Sequence, residues 1–257
     1  MSTLTSSEQA LTQFLAAARR TVFLTGAGMS TESGIPDFRS ARGLYAQHLG
    51  EEIFDIRNFD RTPSLFYNYG RRLIDSAWNA RPNSGHRAIA ALEHKHNKDV
   101  AVITQNMDVL HQKVGSSKIY PIHGTIETCS CRECGEIASG KQIWRRVKNG
   151  DIPPRHRGCG GIFKPDIVFF GEELPLAAIK ASETAVAQAE LLVVAGTSLV
   201  VYPAAMLPRM RPSGCRLVII NRTPTDLDDD ADLVIHAATG ATLSNAIAGL
   251  DPPDAAD

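Results

Sequence analysis

Two clusters of residues have the types and spacing that chemistry needs. Cys129, Cys131 and Cys134 share one short stretch and Cys159 follows, so four of the five cysteines fall between 128 and 165. In a reducing compartment, thiolates this close suggest a metal before a disulfide. The second cluster is Gly26-Ala27-Gly28-Met29-Ser30, reached from the apolar run Thr21–Thr25. Glycines in such a turn let the backbone approach a pyrophosphate, whose charge is met by N–H groups where a helix opens. The turn departs from G-x-G-x-x-G, because Thr31 stands where the third glycine belongs. No acidic residue follows about 20 positions on at the end of a second strand, where a dehydrogenase would hold its ribose. The turn is compatible with a dinucleotide but is a weak signal alone, and hydride transfer is poorly supported.

The elements that must position these residues are legible as apolar runs. Thr21–Thr25, Val100–Thr104, Leu191–Ala195 and Arg216–Ile220 are rich in Val, Ile and Leu without alternation. Strands buried on both faces of a parallel sheet read this way. Helical patterns lie between them, including Ser84–Lys95 and Leu176–Glu190. The expected fold is α/β, a Rossmann-like doubly wound parallel sheet. The four runs end in Gly26-Ala27-Gly28, Gln105-Asn106, Gly196-Thr197-Ser198 and Asn221. Small and amide residues at every carboxyl end predict a ligand crevice there, although turns alone also favour them. Two stretches break the alternation: 40–78, expected to be a helical insertion, and the cysteine-rich 128–165. Together they are expected to form a smaller domain beside a sheet domain made of 1–39, 79–127 and 166–257.

Composition narrows the partners. Lys and Arg number 27 against 28 Asp and Glu, a net charge of -1, with 43% hydrophobic residues. That is a globular composition with no surface built wholly to grip nucleic acid or anionic lipid. No apolar run approaches the roughly 18 residues that span a bilayer. Met1–Ala10 is polar and lacks the order of a secretory signal. A cytoplasmic protein is expected, a monomer, with no membrane and no direct nucleic-acid partner.

The longer stretch Gly26-Ala-Gly-Met-Ser-Thr-Glu-Ser-Gly-Ile-Pro-Asp-Phe-Arg39 resembles the signature of the sirtuin family of NAD-dependent protein deacylases. The resemblance continues in order through Thr104-Gln-Asn-Met-Asp108, His123-Gly124, Val168-Phe-Phe-Gly-Glu172, Gly196-Thr-Ser198 and Asn221. It implies two cofactors, NAD and Zn2+, and an acyl-lysine protein or peptide as substrate. In the family the acyl oxygen attacks the ribose C1′, nicotinamide leaves, and the acyl group ends on ADP-ribose.

By motif, His123 is then the general base, although as one of eight histidines it carries no role from composition alone. Asn106 joins it as a catalytic residue, and with Gln105 and Asp108 surrounds the nicotinamide and its ribose. Met107 stands where the family usually has Ile, a swap of similar volume. Gly26, Ala27, Gly28 and Ser30 are implied to line the cofactor, with Gly196, Thr197 and Ser198 at the phosphates and Asn221 at the adenosine ribose. Asp37, Phe38 and Arg39 would sit on a mobile loop over the cofactor, with Phe38 shielding the reacting ribose from water. Val168, Phe169, Phe170 and Gly171 read as an edge-capable strand to which an extended peptide could add, or as plain core strand.

The family's zinc module has two C-x-x-C pairs. Cys131 and Cys134 supply the first; aligning Lys164-Pro165 with the family's basic-Pro step puts the second at His156 and Cys159. Three thiolates and an imidazole form an ordinary zinc shell. Cys129 is a rival ligand, and loss of the metal a third alternative. For the acyl group, Tyr67 matches the tyrosine of desuccinylating members, but Gly70 falls where their arginine belongs and Arg71 comes one residue late. One residue turns a helix by about 100°, so deacetylation is expected. Desuccinylation, mono-ADP-ribosyl transfer to protein and an idle NAD-sensing module are the alternatives.

Overall fold

The computed structural model describes residues 4–37 and 51–251. The chain opens with α1 (Ser6–Ala17), held by a reciprocal cap in which Glu8 N donates to Thr5 Oγ1 and Thr5 N donates to Glu8 Oε2. β1 (Arg20–Thr25) leads to the glycine turn, and 51–79 contributes α2 (Ile56–Arg61), α3 (Pro63–Tyr69) and α4 (Arg71–Asn79). Then come α5 (Ser84–His94), β2 (Asp99–Thr104), α6 (Leu110–Lys113), β3 (Ile119–Pro121) and β4 (Gly124–Cys131). β5 (Ile137–Ser139), α7 (Gly140–Lys148) and β6 (Phe163–Ile167) follow. The chain closes with α8 (Leu176–Ala187), β7 (Leu191–Ala195), β8 (Arg216–Ile220), β9 (Leu233–Ile235) and α9 (Thr239–Ala248).

The larger sheet has the order β3-β2-β1-β7-β8-β9 with every neighbouring pair parallel. Both faces are covered, which is why its strands are apolar without alternation. On one face Phe23, Val102, Val193 and Val218 pack against α1, α5 and α9 through Leu11, Leu15, Ile89 and Leu243. On the other, Val22, Leu24, Ile103 and Val194 meet Val186 of α8 and Leu207. All four expected strands are present. β9 was not anticipated; three residues are too few for a periodic signal.

The second sheet is antiparallel, in the order β5-β4-β6. It begins at Gly124 and ends at Ile167, slightly wider than the 128–165 stretch. Beside it, Phe54, Phe59, Phe66, Tyr67, Trp144 and Phe169 form a separate aromatic core. The Phe59 and Phe169 rings meet edge to face at 5.5 Å. Residues 40–50 of the expected helical insertion lie outside the described residues; the remainder is helical as anticipated.

Two local expectations fail. The glycine turn does not open an α-helix; it makes two 3-10 turns, Ala27–Met29 and Thr31–Ser33. Gly28 N donates across to Gly196 O rather than into a helical ladder, and Gly34 at φ +83° ends the second turn. Val168–Gly171 is not a regular strand: only Phe170 forms an isolated parallel bridge, to Asp55. The strand of this region is β6, whose Pro165 is tolerated because β6 is an edge.

Candidate active site

The crevice forms where the strand order reverses. β1 and β7 are central neighbours, and the chain builds outward from them in opposite directions, the switch point at which such sheets bind ligands. Here the two backbones interlock. Gly26 N donates to Ala195 O at 3.1 Å and Gly28 N to Gly196 O at 2.8 Å. A Cβ on Gly28 would lie 2.8 Å from Gly196 Cα, and one on Gly196, at φ +68°, would lie 2.4 Å from Met29 N. The contact of two strand ends therefore demands glycine before any ligand is considered. Ala27 beside them remains half-exposed.

The segment after β2 crosses this floor. Gln105 N donates to Thr25 O at 2.9 Å and Gln105 Nε2 to Thr197 Oγ1 at 3.0 Å, tying the β2 end to the β7 end. Asn106 Nδ2 donates to Gly26 O and to Ser30 Oγ, both at 3.0 Å. Ser30 Oγ donates onward to Asp108 Oδ2 at 2.7 Å, and Leu110 N donates to Asp108 Oδ1 at 3.1 Å. The amide of Asn106 is thus locked in orientation, with Oδ1 turned away from this network. Burial pushes the Asp108 carboxyl above its ordinary value, while the Ser30 hydroxyl counteracts that rise.

His123 follows β3 and reaches the same floor. Its Nδ1 lies 3.0 Å from Gln105 O. A carbonyl only accepts, so Nδ1 carries the proton and Nε2 keeps its lone pair. Burial lowers the imidazole below 6.5 despite that bond, so the ring is a neutral base at physiological pH. Ser198 is half-buried beside Thr197. Asn221 is buried after β8 and donates from Nδ2 to Thr223 O at 2.8 Å. Asp37 is half-buried. Phe38 and Arg39 lie outside the described residues.

At the small sheet, the ligand atoms of Cys131, Cys134, His156 and Cys159 all lie within 4.8 Å of one another. Cys131 Sγ and Cys159 Sγ are 3.5 Å apart, and His156 Nδ1 lies 3.4 Å from Cys134 Sγ and 3.1 Å from Cys159 Sγ. Three sulfurs and one imidazole nitrogen facing one point fit a tetrahedral zinc shell. The outer nitrogen, His156 Nε2, lies 3.1 Å from Glu136 Oε2, the carboxylate partner that fixes a metal-bound imidazole. Cys129 is not in the group. Its thiol is buried against Ile143 and Phe163, and burial pushes it up to about 12.

The Sir2 family model matches residues 26–203, more than half of the chain. The chain belongs to the Sir2 family. It is 41% identical to the NAD-dependent protein deacetylase 2 of Caldanaerobacter subterraneus subsp. tengcongensis, over 91% of this chain and 92% of that protein. It is 40% identical to the NAD-dependent protein deacylase 2 of Pyrobaculum aerophilum, over 89% and 90%. Among solved structures, Sir2 bound to p53 peptide and NAD+ superposes with a TM-score of 0.84 at 38% identity, covering 94% of this chain and 97% of that one. A Sir2 complex with deacetylated p53 peptide and 3′-O-acetyl ADP-ribose gives 0.88 at 37%, covering 95% and 98%.

In this sirtuin the structure places the two segments expected to meet the substrate as follows. Tyr67 is fully buried in the aromatic core, and its hydroxyl donates to Phe163 O. Its side chain is therefore engaged with the core. Arg71 and Arg72 are exposed on α4. The 168–171 segment has little free edge. Val168 N donates to His123 O, Phe169 N to Glu172 Oε2, and Phe170 N to Phe54 O, while Phe170 O accepts from Ile56 N. Phe169 is core and Phe170 is exposed. Among the described residues only Gly171 lacks a backbone partner in this segment.

Sequence reasoning missed the residues that brace the floor. Asn83 Nδ2 donates to Met29 O at 2.8 Å and to Ser33 Oγ at 3.1 Å, and Glu32 Oε1 accepts from Gly240 N at 2.7 Å. They fasten the glycine turn to the N-termini of α5 and α9. Asn83 was findable as the cap before Ser84. His86 and His111 were not; their rings lie 4.7 Å apart, buried behind the floor.

Proposed function

We propose that this sirtuin is an NAD-dependent protein lysine deacetylase, moving the acetyl group of acetyl-lysine to ADP-ribose with release of nicotinamide. The observation that carries the reading is the joint geometry of His123 and the Asn106–Ser30–Asp108 chain over one switch-point crevice. The names of its relatives and the ligands of its structural neighbours point the same way. NAD, when bound, supplies an activated ribose carbon and a leaving group.

The chain's own residues do the rest. Glycine-turn and β7-end backbone, with Thr197 and Ser198, hold phosphate oxygens, and Asn221 holds the adenosine ribose. Asn106 Oδ1 orients the carboxamide together with Asp108, and Gln105 fixes the ring of His123 through its carbonyl. His123 Nε2 takes the proton of a ribose hydroxyl. By the family motif, Asp37, Phe38 and Arg39 would belong to the cofactor site, and Phe38 would serve to keep water from the reacting ribose. The peptide lies along the 168–171 segment, where Gly171 offers the backbone groups for strand-like pairing.

Zinc held by Cys131, Cys134, His156 and Cys159 has four protein ligands and so serves structure, not the reaction. Acetyl is favoured over succinyl because a carboxylate-bearing chain needs a cation beside its tyrosine, and Tyr67 faces the core. The division into a sheet domain (1–39, 79–127, 166–257) and a small domain (40–78 with 128–165) completes the reading, as do a cytoplasmic location and a monomeric state. Among the described residues no helix is long and apolar enough to cross a membrane. Matched acetyl- and succinyl-lysine peptides incubated with NAD and followed by mass spectrometry test the proposal. Faster loss of acetyl is expected; preferential loss of succinyl would overturn the acyl assignment.

A further inference from the structure

Lys164 is a buried lysine that the reaction does not use. Its side chain is 7% exposed on β6, and its ammonium lies 2.8 Å from Glu172 Oε2. The same ammonium donates to Ile167 O at 2.8 Å and to Pro165 O at 3.2 Å, and stands 4.2 Å from the centre of the Phe169 ring. Three acceptors for three hydrogens, plus an aromatic face, satisfy the cation completely. Glu172 is equally engaged, since its Oε2 also accepts from Phe169 N at 2.8 Å while its own N donates to Phe169 O at 3.0 Å. The chain from Ile167 to Glu172 is therefore wrapped around one ammonium.

Stability alone is a weak reason for this arrangement, because an apolar pair of similar volume often replaces a buried ion pair without loss. What the pair does uniquely is fix a path. The wrapped loop touches three parts of the molecule: Val168 N bonds to His123 O, Phe170 bonds to Phe54 and Ile56, and Phe169 enters the aromatic core. It also sets Gly171 at φ +89°, leaving that backbone as the segment's open edge.

We propose that Lys164 and Glu172 are positioning residues, an ion-pair clamp that presents the 168–172 loop to the acyl-lysine peptide and registers it against His123. The clamp rests on the deacetylase reading above. Burial depresses the lysine pKa while Glu172 raises it, in keeping with an ammonium held in place by its carboxylate.

The decisive comparison sets wild type beside Lys164→Arg, Glu172→Gln and the apolar double variant Lys164→Met/Glu172→Leu. Melting temperature, NAD KM and acetyl-peptide KM are measured for each, with amide hydrogen exchange over 168–172 as a readout independent of turnover. The double variant is expected to melt near the wild-type temperature, with NAD KM unchanged. Its peptide KM should rise by roughly 10- to 100-fold, the cost of a misplaced binding element. Its loop amides should exchange faster, and Lys164→Arg, which keeps the cation, should retain a peptide KM near that of wild type. If the double variant recovers wild-type melting, peptide KM and loop protection together, the pair is only structural and the clamp is wrong. A wild-type protein that turns over no acyl peptide contradicts the deacetylase reading instead, and unchanged exchange in the double variant then overturns the clamp on its own.

Discussion

At the residue scale, the protonation of His123 follows from one hydrogen bond. Nδ1 is tied to Gln105 O, so the free nitrogen is a base whenever the ring is neutral, and burial keeps it neutral to lower pH than in water. Behind it His86 and His111 are buried deeper. Burial alone takes His111 to about 4, and His86, facing His111 and Arg87 as well, to about 2. An unfolded imidazole takes up its proton near 6.5, whereas folded His111 resists until about 4. Between those values the unfolded chain binds more protons, so stability is full above pH 6.5 and falls as pH drops toward 4. The loss is about 3 kcal/mol for His111. Urea midpoints measured across that window should decline in the wild type and decline less steeply in His111→Gln, where His86 still contributes; equal slopes would mean His111 is not buried neutral. Neither buried histidine was legible in the sequence, because only tertiary packing distinguishes it from a surface imidazole. The surroundings of Tyr67 were hidden for the same reason: the family resemblance set it beside an acyl chain, and only the fold shows it packed against Phe59, Phe66 and Trp144.

At the element scale, the strand ends and the cysteine hairpin show what local pattern can carry. The four Val/Ile/Leu runs became adjacent buried strands because composition alone marks a strand covered on both faces. The Val168–Gly171 run is also apolar, with one Val, two Phe and a Gly, but takes its partners from Phe54, Ile56 and Glu172, and no local pattern encodes them. The metal ligands were placed by alignment with the family, and the structure brings all four together. Chemistry separates Cys129 from this set. Metal analysis should find about one zinc per chain in wild type, Cys129→Ser and His156→Cys, since zinc accepts thiolate as readily as imidazole. Cys131→Ser should bind much less and melt lower. Zinc lost from Cys129→Ser but kept in His156→Ala would contradict the assignment.

At the scale of the whole molecule, the parallel sheet supplies the floor and the zinc sheet with its aromatic core supplies a second body. The 167–172 loop joins them, carrying a bond to His123 on one side and to the helical segment on the other. Chain topology explains why candidate site residues scattered from Gly26 to Asn221 lie along one edge of the sheet: each follows a strand or a crossover ending there. In the proposed reaction this edge uses His123 to pass an acetyl group to ADP-ribose. The most direct test incubates wild type and His123→Ala with NAD and an acetyl-lysine peptide, with mass spectrometry of both products and calorimetric titration of NAD. Wild type should convert the peptide with an equal yield of acetyl-ADP-ribose. The variant should lose about 100- to 10,000-fold in turnover while still binding NAD. Acetyl loss that yields free acetate with no acetyl-ADP-ribose, or a variant as active as wild type, would contradict the account.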